Sequence, residues 1–150
     1  MENTRTTQLI TFAKNLLGAP YKYGAYTEPA SDTQVTFDCS SFIQFVFHNF
    51  GTELPRSTIL QAAAEGEEIK SLAEAQPGDV LFFEGEIGHY RHELFPGRKV
   101  YIGHAGIYAG DNTMIHSTNS NGFSGVVEHP LEPAINPAYN KNTIVLIKRF

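Results

Sequence analysis

The sequence predicts an α+β domain, with N-terminal helices packed on a mainly antiparallel sheet. Three observations predict it. Apolar residues recur at helical spacing up to about residue 64. Beyond about residue 79 they fall instead into short β-type runs. The 150 residues hold no linker, repeat or low-complexity stretch, so one domain is expected over 1–150.

The elements follow in order. Leu9, Ile10, Phe12, Ala13, Leu16 and Leu17 share one helical face, and Gly18 and Pro20 stop the run, so a helix is expected over about 6–17. Tyr21 to Thr36 is rich in Tyr, Thr, Ala and turn formers and reads as a loop. A second helix is expected over about 39–50, with Asp38 as N-cap and Gly51 just past its end. Cys39, Phe42, Ile43, Val46, Phe47 and Phe50 span about 140° of its circumference, so Cys39 sits in the first turn, in the buried stripe. Pro55 and Ser57 open a short third helix through Ala64, closed by Gly66. Gln76 to Asp79 is a turn, and strands are expected from Asp79 to Phe83 and over about 100–109, 113–117, 124–129 and 143–150.

Composition excludes several function classes. With 41% hydrophobic and 18% charged residues, intrinsic disorder is not expected. The apolar strings VLFF and IVLI are far shorter than the ~20 residues of a membrane span. A net charge of −5 with no Lys/Arg cluster argues against nucleic acid or anionic membrane as partner. The first twenty residues have no apolar signal core, so no secretory signal is expected. One cysteine allows no internal disulfide and no Cys-rich zinc site. His89 and His92 form an H-x-x-H pair without a third ligand of clear spacing, so no metal is expected.

The lone Cys39 is explained either by packing or by chemistry. A thiol is a useful nucleophile as thiolate, and a helix N-terminus and a nearby imidazolium both favour that form. His104 and His116 flank a Gly-Asp-Asn turn and read as one hairpin. If Tyr108 pairs with Asn112, the two histidines lie opposite each other on one face. A two-residue loop at Gly110-Asp111 puts them on opposite faces. Spacing alone leaves both registers open. His48 and His129 read as structural or surface residues.

Six blocks carry a resemblance: GAPYKYG (18–24), FDCSSF (37–42), LPRST (54–58), QPGDVLFF (76–83), GHAGIYAG (103–110) and MIHS (114–117). In order and spacing, over about residues 6–128, they resemble the NlpC/P60 cysteine peptidases. The resemblance implies a papain-like fold with Cys39 as nucleophile, His104 as general base and His116 as the residue that orients it. Tyr21 matches the tyrosine that helps hold the substrate and the oxyanion, with the Cys39 N–H as a second oxyanion donor. Asp38 and Ser40 match positions that bind the free amine of an N-terminal L-Ala, and Asp38 also reads as a plain N-cap. The implied reaction is hydrolysis of the γ-D-glutamyl–diamino acid bond of peptidoglycan stem peptides, with no metal or organic cofactor. Stem peptides or muropeptides are the implied partner; the sequence leaves the oligomeric state open, and a monomer is expected.

Two alternatives keep the fold: an amidase or acyltransferase on another amide or ester, or a binding module without activity. The chain departs from the family pattern at Ser41, where Gly is common, and in a longer segment between Tyr21 and Asp38. It also departs in an insert at about 84–102, which reads either as a lid at the cleft or as a solvated hairpin. The missing signal and the acidic charge lead us to expect a cytoplasmic protein, or one delivered to the cell wall by a non-classical route.

Overall fold

The computed structural model of the chain describes residues 4–24, 36–84, 94–97, 101–120, 123–132 and 144–150. Helix α1 spans Thr4–Lys14 and buries Leu9 and Ala13, one turn apart. It stops three residues short of the expected Leu17. Leu16 N donates to Ala13 O and Leu17 N to Lys14 O, so the last turn tightens to i→i+3 bonds. Helix α2 spans Cys39–His48 and buries Phe42, Ile43, Val46 and Phe47. Helix α3 spans Thr58–Ala63 and is capped by Ser57.

The strands are β1 (Glu67–Glu68), β2 (Val80–Phe83), β3 (His104–Gly110), β4 (Thr113–Ser120), β5 (Phe123–Pro130) and β6 (Ile144–Arg149). Among the described residues they form one sheet, ordered β1-β6-β2-β3-β4-β5, with every pair antiparallel. The α+β expectation holds. The two-residue β1 and the 3₁₀ turn Leu72–Glu74 lack the length for a periodic signal, so the sequence does not predict them.

Facing residues on paired strands share a side of the sheet. Val80 and Phe82 pair with Ile107 and Ala105, and with Leu146 they join the α2 side chains in the main core. Leu81 and Phe83 point the other way, into a smaller cluster with Ile69, Met114, Leu131 and Ile147. Beyond Glu84 the insert is described only at 94–97 and 101–102. There Phe95 is 7% exposed and Ile102 fully buried, both within the main core. That anchoring corrects the solvated-hairpin reading for these residues. The remainder of the insert, His89 and His92 included, lies outside the described residues.

Two polar anchors fix the sheet ends. Asp79, 1% exposed, accepts from Gln76 N and from the Nε and Nη2 of Arg149, tying the start of β2 to the end of β6. At the other edge, Gly18 N donates to Val126 O and Val126 N to Ala19 O, so the chain entering Tyr21 lies along β5. That approach needs Gly125, whose φ is 122° and whose added Cβ would sit 2.6 Å from Ala19 O. Gly125→Ala is therefore expected to destabilise the fold by about 3 kcal/mol, from strain plus a backbone clash. Chemical denaturation measures this, and an unchanged midpoint contradicts the packing described.

Candidate active site

The nucleophile candidate is positioned by its neighbours in sequence. Asp38 caps α2: its Oδ1 accepts from Ser41 N, while Ser41 Oγ accepts from Asp38 N. This reciprocal pair is a capping box. It gives Ser41 a role that a glycine cannot fill. Cys39 is thus the first helical residue, and its N–H has no intrahelical acceptor. Lys22 N donates to Phe37 O and Phe37 N to Pro20 O, which holds Tyr21 alongside the capped turn.

Tyr21, Asp38, Cys39, Ser40, Arg56 and His104 line one cleft of about 430 Å³. The structure therefore brings five of the six expected site residues to a single cavity. The sixth, His116, is fully buried behind it. His104 Nε2 lies 2.7 Å from His116 Nδ1.

The hairpin register differs from both expected alternatives. The turn is Asp111-Asn112, with φ of 50° and 59°, and a register shift follows between Tyr108 and Gly110. Ile107 faces Ile115 and Tyr108 faces Met114. Carried on, Gly106 faces His116, and the two histidines are diagonal neighbours on one side rather than directly opposite. Gly106 leaves the space: a Cβ there would meet His116 Cβ at 3.1 Å.

A second histidine bond was not expected from the sequence. His116 Nε2 lies 3.0 Å from His129 Nδ1, and His129 is 5% exposed. Of the two readings left open for His129, the surface one is corrected and the structural one holds: the ring is buried and bonded. The three ring systems pair nitrogen to nitrogen rather than converging on a point. Among the described residues no cluster of three or more His, Cys, Asp or Glu has the arrangement of a metal site.

Arg56 stands within the LPRST block, and no sequence signal marks it as a site residue. Its Nη2 is 2.8 Å from Asp38 Oδ2 and its Nη1 donates to Ser40 Oγ at 2.7 Å. Asp38 accepts as well from Gly24 N at 3.0 Å and Ser40 Oγ at 3.3 Å. With Ser41 N, four donors meet a carboxylate that has about four lone-pair sites. Gln61, fully buried on α3, donates to Ser40 O and Pro55 O and so binds the Arg56 loop to the first turn of α2.

Electrostatics follow from burial. Burial and the Asp38 charge push the Cys39 thiol up to about 12, against the N–H groups of Ala105 and Ser40, which favour the thiolate. Burial alone takes His104 down to about 4. With each partner neutral, the surroundings thus favour thiol and imidazole. Moving the proton from sulfur to His104 creates opposite charges whose attraction offsets the two desolvation costs. His116 is held well below its usual range by burial and by its two histidine neighbours. Burial, Cys39 and Asp38 raise Tyr21 to about 12, so its hydroxyl stays a donor at neutral pH. Burial opposes the Asp38 charge, but Arg56 and Ser41 outweigh it and hold the carboxyl below its usual range.

These shifts carry a stability prediction. The unfolded chain binds protons at His104 near pH 6.5, whereas the folded chain resists until about 4. The stabilisation is complete above pH 6.5 and is lost as pH falls toward 4. His104 alone accounts for up to about 3 kcal/mol, at 1.36 kcal/mol per pH unit. Asp38, lowered in the fold, adds its own loss only at pH below its ordinary 3.8. Urea unfolding at pH 7 and pH 4.5 is expected to differ by about 2–3 kcal/mol. Equal stability at both contradicts the buried neutral histidines.

A model of the NlpC/P60 family matches residues 18–147. The chain is 36% identical over 126 residues to a gamma-DL-glutamyl hydrolase of Bacillus subtilis, covering 80% of this chain and 25% of that protein. It is 35% identical over 112 residues to a probable endopeptidase of Mycobacterium tuberculosis, covering 75% of this chain and 23% of that protein. The chain thus spans about a quarter of the length of these relatives. Among solved structures, an NlpC/P60 family protein from Bacillus cereus matches with a TM-score of 0.70 and 27% identity, covering 97% of this chain and 40% of that one.

Proposed function

The chain belongs to the NlpC/P60 family, and from that membership and the geometry of its cleft we propose a cysteine endopeptidase that cleaves the γ-D-glutamyl–diamino acid bond of peptidoglycan stem peptides. The observation that carries the reading is one cleft holding Cys39 at a helix start and His104 bonded to His116. The gamma-DL-glutamyl hydrolase relative supports a γ-glutamyl acyl group.

The reaction is acyl transfer through a thioester. With Nε2 bonded to His116, His104 Nδ1 is the nitrogen left for Cys39. Sγ attacks the γ-carbonyl carbon and its proton passes to Nδ1. The developing oxyanion takes hydrogen bonds from the Cys39 N–H and the Tyr21 hydroxyl. His104 then protonates the amine of the diamino acid as the C–N bond breaks. Water attacks the thioester, giving its proton to His104, and the C–S bond breaks to return the thiol. His116 keeps the base oriented.

In this reading Asp38 and Ser40 serve the site indirectly. Their polar atoms are engaged with Arg56, Gly24 and Ser41, and a substrate ammonium would compete with Arg56 for a filled carboxylate. A free N-terminal amine is accordingly not required. The test is mass spectrometry of products from L-Ala-γ-D-Glu-diaminopimelate peptides, free and glycan-linked, with Cys39→Ala as control. Release of the diamino acid from both by wild type alone is the expected result. No cleavage of either overturns the peptide assignment, and cleavage of the free peptide alone overturns the role given to Asp38.

A further inference from the structure

We infer that His129 is a positioning residue: it ends a line of three imidazoles that fixes the tautomer of His104 through His116. The inference deepens the reaction proposed above and rests on that reading for the role of His104.

The geometry is continuous. His104 Nε2 meets His116 Nδ1 at 2.7 Å, and His116 Nε2 meets His129 Nδ1 at 3.0 Å. Each contact needs one donor and one acceptor, because two neutral nitrogens of like kind do not bond. For His104 Nδ1 to accept the thiol proton, it must be bare, so the ring hydrogen sits on Nε2 and is donated to His116 Nδ1. His116 then carries its hydrogen on Nε2 and requires an acceptor there. His116 is fully buried, and His129 Nδ1 is the acceptor the structure provides. Without it, His116 would gain by moving its hydrogen to Nδ1, which turns it into a donor facing His104. His104 would then be driven to the opposite tautomer, with its hydrogen on Nδ1, where the thiol proton has to go.

Packing holds the terminal ring in place. His129 stands on β5 opposite Met114, two residues along from the Val127 that faces His116. Its ring meets Phe123 edge-on at 4.5 Å and His116 at 5.2 Å. An imidazole at this position is therefore both a packed ring and an acceptor, and the two roles separate by mutation. His129→Phe keeps a ring and removes the acceptor. His129→Asn loses the ring and keeps an oxygen near the Nδ1 position.

The experiment uses readouts that do not depend on the peptide substrate. In ¹⁵N NMR, wild type is expected to show a hydrogen on Nε2 of His104 and of His116. His129→Phe is expected to move both toward Nδ1 and to slow Cys39 alkylation by iodoacetamide at pH 7 about tenfold. With peptide substrate the loss falls on kcat, leaving KM within about twofold. His129→Asn restores the wild-type tautomers and most of the alkylation rate. Unchanged tautomers and alkylation in His129→Phe overturn the inference, as does a loss that His129→Asn shares in proportion to its fall in Tm. Failure of the peptide assignment instead leaves these signatures intact while no peptide is cut.

Discussion

Replacing His104 by Ala is expected to abolish peptide cleavage and to slow Cys39 alkylation at pH 7 by two orders of magnitude or more. The reason is the burial of the thiol. With no charged imidazole beside it, Cys39 is pushed up to about 12 by burial and by Asp38. At pH 7 the thiol is then the dominant form and the thiolate a minor one. The helix start and the N–H groups of Ala105 and Ser40 favour the anion, but they do not outweigh desolvation. Only the proton passing to His104 pairs the two charges. A general base of this kind contributes about 10²–10⁴ in rate, and here it also makes the nucleophile. Alkylation in His104→Ala as fast as in wild type means that another group takes the proton.

The second large effect is expected at Asp38, in stability rather than chemistry. Asp38→Ala removes the N-cap of α2, worth about 1 kcal/mol. It also leaves the Arg56 guanidinium and Gly24 N without the carboxylate they meet at 2.8 and 3.0 Å. Arg56 keeps about a third of its side chain exposed, so water screens part of that loss. A total of about 3 kcal/mol follows, which lowers Tm by about 6–12 °C in a domain of this size. Asp38→Asn keeps an oxygen for Ser41 N and loses mainly the charge, so its cost is expected to be about half. Equal costs for the two variants contradict the capping role.

Much of the site was legible in the sequence. Asp38 before an apolar helical stripe and Gly51 after it located α2, and so put Cys39 at a helix start. The six blocks then brought Tyr21 and His104 to the same cleft. The hairpin register was not legible, because the type I′ turn at Asp111-Asn112 and the shift at Ala109 compensate each other. One residue of slip alone would send His116 to the other side; the turn and the shift together restore the parity.

His129 was within reach. Asn121-Gly122 is a two-residue hairpin signal. It sets Ser120 opposite Phe123, then Met114 opposite His129, diagonal to His116. Arg56 and Gln61 had no such signal. Their partners, Asp38 and the Ser40 carbonyl, lie 18 and 21 residues away across a helix and a loop, contacts that no local periodicity encodes.

In the proposed reaction Cys39 carries the acyl group. Intact-protein mass spectrometry after rapid acid quench of enzyme with L-Ala-γ-D-Glu-diaminopimelate detects that intermediate. The expected result is an added mass equal to the L-Ala-γ-D-Glu acyl group, mapped to Cys39 and absent from Cys39→Ala, which also releases no diamino acid. Release of diamino acid by Cys39→Ala at the wild-type rate, with no adduct in either protein, would contradict it.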